Sequence, residues 1–277
     1  MSSEAGETIN FIQFSPGTYC SQSKSPLFSI IPAEVRDRIF YYALADYEDA
    51  TNLYGHETCY RRPDYLAPRR SDTALLRTCQ RIYQEAWFRP WTSAEHTLWL
   101  TAGDRRPGRV TTIEKLQDSL NLLHKHHGDT EVDHLRVFSQ LYMLENGHRL
   151  GQILTLQHFH PRCMTVTIRH TDTWFWESDE PLRIASQWVE VCRFPDSLRE
   201  LRVELESLER KKGQVDYMAA QMVEKWQFLR RDNSVLSAQG TKVGIMRWSG
   251  SSTWGGERCE SPISSVLIIP IFRRLFH

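Results

Sequence analysis

The stretch Met164-Thr165-Val166-Thr167-Ile168-Arg169 constrains this chain more than any other. Apolar and polar residues alternate without a break, the period-two pattern of a strand with one face buried and one face polar. Leu201-Arg202-Val203-Glu204-Leu205-Glu206 repeats it, and Leu135-Arg136-Val137-Phe138 carries a shorter version. Helical spacings lie between these strands. Thr111 and Glu114 have the separation of a capping box, Ile113, Leu116, Leu120 and Leu123 supply an apolar face, and Gly128 is a stop. Leu150, Ile153 and Leu154 mark a second helix. A third, from Arg183 to Cys192, turns Ile184, Trp188 and Val191 inward, and a fourth carries Val215, Met218, Met222, Trp226 and Leu229. Thr241 to Trp248 and Ser265 to Ile269 are late strands that finish the sheet. Alternation with crossovers this long allows the strands to lie parallel, so the expected class is α/β, with α+β as the variant. The central valines, Val137, Val166 and Val203, are unequally spaced and the Leu/Asn pattern of leucine-rich repeats is missing. The layer is therefore irregular and only degenerately repeat-like.

Three segments are expected. Residues 1–25 form a loose polar lead-in, residues 26–109 a small helical unit with a long internal loop, and residues 110–277 an α/β interaction domain. In the second segment Pro32 suits the first turn of a helix and Glu34 complements its dipole. Val35, Ile39, Phe40, Ala43 and Leu44 then recur at helical spacing, which predicts an amphipathic helix over 32–45. Gly55, Pro63 and Pro68 mark a loop from Ala45 to Ser71. A second helix, capped by Ser71 or Asp72, carries Leu75, Cys79, Ile82 and Ala86 as far as Pro90, and His96 to Leu100 has strand composition.

The 34 Lys+Arg balance the 34 Asp+Glu, and with 40% hydrophobic residues this excludes disorder as the main state and a wholesale polyanion binder. Nucleic acid is not an expected partner. The longest apolar run, Val266 to Phe272, is broken by Pro270 and falls short of the ~20 residues of a membrane helix. No secretory signal is visible, so the expected location is cytoplasmic or nuclear, in a soluble form without a membrane partner. Six widely spaced cysteines fit free thiols. Charge is nevertheless local: residues 61–109 hold ten Arg against five acidic residues, and 177–209 four Arg against nine.

The segment Ser25-Pro-Leu-Phe-Ser-Ile-Ile-Pro-Ala-Glu-Val-Arg-Asp-Arg-Ile-Phe-Tyr-Tyr-Ala-Leu44 resembles the opening of an F-box. Ser71-Asp-Thr-Ala-Leu-Leu-Arg-Thr-Cys-Gln-Arg-Ile-Tyr-Gln-Glu-Ala86 is similar to the second half seen in fungal F-box-like proteins, a family whose C-terminal regions look like the remainder of this chain. The long segment between the two helices departs from the tight connection of an F-box. The resemblance implies an adaptor: N-terminal helices docked on a Skp-type linker of a cullin ubiquitin ligase, and a C-terminal domain that holds a substrate protein. The apolar anchors it implies are Leu27, Ile31, Pro32, Val35, Ile39 and Leu44.

Two constellations carry other chemistry. His158, His160 and Cys163 offer three possible metal ligands within six residues, although no second ligand pair has matching spacing. His124, His126 and His127 are accounted for as cations at a helix C-terminus. Arg169-His170-Thr171-Asp172-Thr173-Trp174-Phe175-Trp176-Glu177 is the densest polar-aromatic cluster and follows a strand, where α/β proteins often form a crevice. Arg169, His170, Asp172, Trp174 and Trp176 are accordingly the candidates for a C-terminal partner surface. No nucleophile elbow, Walker loop or dinucleotide fingerprint is present, and Gly255-Gly256 sits in a Ser/Trp-rich loop. The leading expectation is a non-catalytic protein–protein interaction protein, not an enzyme, without cofactor or metal. The alternative is an enzyme or metal-binding protein using His158/His160/Cys163 or His170/Asp172.

Overall fold

A computed structural model of the chain describes residues 22–178, 180–238, 241, 243–250, 253–254, 257–258 and 263–274. Most of the lead-in, residues 1–21, and the pair Gly255-Gly256 lie outside the described residues. Helix α1 (Pro26–Ser29) leads through Pro32, the N-cap, into α2 (Ala33–Ala43). Phe40 and Leu44 close against Ile82 and Ala86, with Leu27, Phe28, Leu75, Leu76 and Cys79 packed alongside, and form a separate small core. The segment expected as a loop contains β1 (Asp46–Glu48) and β2 (Arg69–Ser71), paired antiparallel and joined by the Arg69–Asp46 ion pair. The helix expected from 71 to 90 is divided into a 3-10 turn at Ala74–Arg77, α3 (Gln80–Ala86) and α4 (Arg89–Thr92). The break falls at Cys79, whose extended backbone (φ −156°) cannot continue a helix.

The helix–strand alternation then appears as expected. Strand β3 (Glu95–Leu100) is followed by α5 (Ile113–His127), β4 (Glu131–Ser139), α6 (Leu141–Leu144), α7 (His148–Leu154), β5 (His160–Ile168), α8 (Gln187–Val191) and β6 (Glu200–Leu208). These four strands are neighbours in chain order, and every pairing among them is parallel. Beyond β6 come α9 (Lys212–Lys225), β7 (Phe228–Leu229), β8 (Val235–Ser237), β9 (Gly244–Gly250), the short pair β10 (Thr253–Trp254) and β11 (Glu257–Arg258), β12 (Ile263–Ile269) and β13 (Ile271–Arg274). This half is antiparallel: β12 and β13 pair successive parts of β6, split at Pro270, whose carbonyl accepts from Val203 N at 3.1 Å. The fold is thus mixed α/β, with β3 at the edge of a nine-stranded sheet.

One face of the sheet holds the main core. Leu98, Leu135, Val137, Met164, Val166, Ile168, Leu201, Val203 and Leu205 meet Leu116 and Leu120 of α5, Leu150, Ile153 and Leu154 of α7, Trp188 of α8 and Met222 of α9. Helices on a single face of consecutive parallel strands are what the period-two pattern and the crossover lengths require.

The opposite face was expected to be polar, and it is polar but buried. Thr165, Thr167 and Arg169 are all enclosed because the 54–65 segment lies over them. Tyr65 packs on Trp99 and Phe138, while Arg62 reaches Glu204 and Glu206 at 3.2 Å each. Arg136 ties Glu95 to Glu204 at 2.8 Å each, and Thr167 Oγ1 donates to Glu204 at 2.7 Å. Burial pushes the Glu206 carboxyl above the ordinary carboxylate range. For Glu95 burial acts the same way, but hydrogen bonds and charge from His134 and Arg136 outweigh it and hold the carboxyl at about 2.

Candidate metal centre

Helix α5 ends where Gly128 turns left-handed (φ 85°) and donates its N–H to His124 O at 2.8 Å. That turn sets Asp129 beside the last turn of the helix it has just left. The chain returns before β5 with His158 in the left-handed region (φ 57°), one of four non-glycine residues with positive φ among the described residues. Gln117 clamps this return to α5: its Nε2 donates to Gln157 O at 3.2 Å and its Oε1 accepts from Gln157 N at 2.8 Å.

The result is a cluster. His124 Nδ1 lies 2.9 Å and His158 Nδ1 3.3 Å from the same oxygen, Asp129 Oδ1, and the two imidazoles stack with centroids 3.6 Å apart, 11° from parallel. The three ligand atoms all fall within 4.8 Å of one another. His160 Nε2 stands 3.8 Å from Asp129 Oδ1. The hydrogen bond from His158 and the imidazole of His124 hold the Asp129 carboxyl below its ordinary range despite some desolvation, so it is an anion facing a concentration of nitrogen donors. All four side chains retain solvent access. The cluster sits at the amino ends of β4 and β5.

This arrangement overturns the expectation that the chain is not an enzyme. Two imidazoles and a carboxylate at this spacing could hold a metal ion, and three protein ligands are the number found at catalytic zinc, where one position stays open. It also redraws the expected ligand triplet. His158 belongs to the cluster and His160 lies beside it, but Cys163 does not: residues 160 and 163 of one strand point to opposite faces. Burial raises the Cys163 thiol above its ordinary value, which disfavours a thiolate ligand. His124, which the sequence assigns to a helix C-terminus, is the candidate ligand that the sequence did not reveal, together with Asp129. The available signal was a histidine one turn before a helix-ending glycine with an acid just after it. His126 and His127 turn instead to Trp87 and Phe88.

The second expected constellation has another role. The two carboxylate oxygens of Asp172 accept from Arg169 Nε at 2.6 Å and Nη2 at 2.8 Å. Arg169 also donates to Arg105 O at 3.0 Å and lies over Trp99 and Phe138. Arg169, His170 and Asp172 are buried, so the partner surface expected of them is corrected to an internal clamp between the sheet and its covering segments. His170 Nδ1 faces Ser207 Oγ at 3.3 Å, and Trp176 packs on His170 and under Arg105. Of the five residues, Trp174 alone is exposed.

The six expected linker contacts also separate. Leu44 is fully buried, Leu27 and Ile31 are half-buried, and Pro32, Val35 and Ile39 face solvent. Two cavities, of about 190 Å³ beside Leu76, Trp87 and Leu122 and about 180 Å³ beside Tyr54, Trp99 and Arg109, lie elsewhere and include none of the metal-ligand candidates. Cys59, Cys79, Cys163 and Cys192 are free thiols. Among the described residues no helix is long and apolar enough to cross a membrane. Compared with known proteins, the chain matches no family model, no curated protein and no solved structure.

Proposed function

We propose that this chain binds a divalent transition-metal ion through His124, Asp129 and His158. The observation that carries the reading is the convergence of their ligand atoms within 4.8 Å. Metal–nitrogen and metal–oxygen bonds of about 2.0–2.2 Å require such a spacing, and the imidazole–carboxylate donor set suits zinc. Ligation through Nδ1 places the proton of each imidazole on Nε2. His160, whose Nε2 lies 3.8 Å from Asp129 Oδ1, is the neighbouring side chain that would take up a proton, and a bound ion would supply the acidification of a water held beside it. Elemental analysis of the purified full chain tests the reading: one zinc-like ion per chain, lost in Asp129→Asn, supports it, and a metal-free protein that also fails to take up added zinc removes it.

A second reading rests on a different observation. Val35 and Ile39 are 49% and 40% exposed, and with Ile30 and Tyr42 they leave an apolar stripe on the outer side of α1 and α2. Such a stripe is the requirement for docking a partner helix, and the front-end resemblance names a Skp-type linker of a cullin ligase as that partner. Direct binding to a purified Skp-type linker, abolished by Val35→Asp, is the expected result; no binding removes the ligase role.

A further inference from the structure

The carboxyl ends of β4 and β5 carry a group of side chains that the metal centre, at the opposite ends of the same strands, does not use. After β4, helix α6 presents Tyr142 and, one turn later at its end, Glu145. After β5, the chain passes the buried Arg169–Asp172 clamp and turns out through Trp174 and Phe175. Tyr142, Trp174 and Phe175 are 47%, 42% and 65% exposed, an unusual grouping of large aromatics on a surface. The Tyr142 and Trp174 rings stand 6.4 Å apart at 60°, and the Trp174 and Phe175 rings 6.2 Å apart at 39°.

These rings are held, not adventitious. Trp174 Nε1 donates to Glu145 Oε2 at 2.8 Å, and Glu145 Oε1 accepts from Ala185 N at 2.9 Å, so one carboxylate fixes the indole and the loop behind it. Phe175 is in the left-handed region (φ 50°), a conformation that is costly for an aromatic residue. Its carbonyl accepts from Ser178 N at 3.0 Å and Glu180 N at 3.3 Å, which stabilises the turn that faces the ring outward.

We infer that Tyr142, Trp174 and Phe175, with the Glu145 carboxylate beside them, form a recognition site for a trimethylated lysine side chain on a partner protein. Three chemical arguments select that occupant. Aromatic faces attract a cation within about 6 Å of the ring centroid, and three exposed rings adjoin here in the order Tyr142, Trp174, Phe175. Glu145 adds a negative charge, yet each of its oxygens is already engaged by an N–H donor. It therefore serves a quaternary ammonium, which needs charge but no acceptors, better than a primary ammonium, which needs three. Finally, the rings are open to solvent rather than enclosed, which suits a side chain presented by another protein more than a free small molecule. Among the described residues the other charges on the stretch from Glu177 to Arg183 are Glu177, Glu180 and Arg183, and Arg183 lies 3.9 Å from Glu180. Trp174 is thus the residue of the expected C-terminal partner surface that keeps that role, and Phe175 and Tyr142 join it.

Tryptophan fluorescence and calorimetric titration of the full chain test the site with three probes: N-acetyl-trimethyllysine methylamide, its unmethylated lysine counterpart and choline. Binding of the trimethylated probe about fivefold or more tighter than that of the lysine probe is expected, the difference of roughly 1 kcal/mol that an exposed cation–π site supplies. Trp174→Ala and, separately, Phe175→Ala should remove that preference while leaving far-ultraviolet circular dichroism unchanged, since both side chains are exposed. Equal binding of the methylated and unmethylated probes overturns the proposal, as does a preference that survives both variants. Choline binding more tightly than the trimethyllysine probe overturns the assignment to a protein-borne side chain.

Discussion

His124 and His158 stack their imidazoles 3.6 Å apart and share one acceptor, Asp129 Oδ1, although one belongs to the last turn of α5 and the other to the turn before β5. The shared oxygen is the structural reason to read the pair as ligands. A metal competes with protons for imidazole nitrogen, so zinc affinity should fall as the solution is acidified. Titrations at several pH values check this; an affinity independent of pH would argue for other ligands.

The Glu95 carboxyl makes the stability of the fold sensitive to acid. Its folded-state value, about 2, lies below the ordinary 4.5, so the carboxylate form is favoured by folding. The stabilisation is fully present above pH 4.5 and is lost as pH falls toward 2. In Glu95→Gln the chemical-denaturation midpoint should vary less with pH over that window than in the parent chain. A parallel pH profile for the two proteins would show that Glu95 is not the group responsible.

Gly147, which opens α7, has φ 72°, and an added Cβ would lie 2.4 Å from Val191 Cγ2 and 3.3 Å from the Trp188 backbone. Both the backbone conformation and the neighbouring α8 therefore demand glycine. Gly147→Ala should destabilise the chain by more than about 1 kcal/mol in urea unfolding. An unchanged midpoint would mean that α7 and α8 are not packed this closely.

Val35→Asp and Ile39→Asp act on exposed positions of α2, unlike Phe40, which is in the small core. Each should alter unfolding free energy by no more than about 0.5 kcal/mol, whereas Phe40→Ala should cost roughly 3–5 kcal/mol. Thermal and urea unfolding of the three variants distinguish a solvent-facing stripe from a buried one.

The alternation of Met164, Val166 and Ile168 with Thr165, Thr167 and Arg169 revealed the strand and its core face, and Leu116, Leu120 and Leu123 revealed the helix that packs there. Both are local periodicities. That Thr165 and Arg169 are also buried depends on Arg62 and Tyr65 folding back over the sheet, a long-range event with no period to betray it. The candidate site divides in the same way. His158 and His160 were visible as neighbours in sequence, whereas His124 and Asp129 join them only because β4 and β5 are parallel neighbours, which brings the end of α5 to the start of β5. Cys163 looked equally near by count and was removed by strand alternation.

The most direct measurement is calorimetric titration of zinc chloride into the metal-free full chain, alongside an Asp129→Asn/His158→Ala double variant that retains the wild-type circular dichroism. The metal reading predicts saturable binding of about one ion per chain in the parent and an affinity at least about tenfold weaker in the variant. No saturable binding in the parent, or equal binding in both proteins, would contradict it.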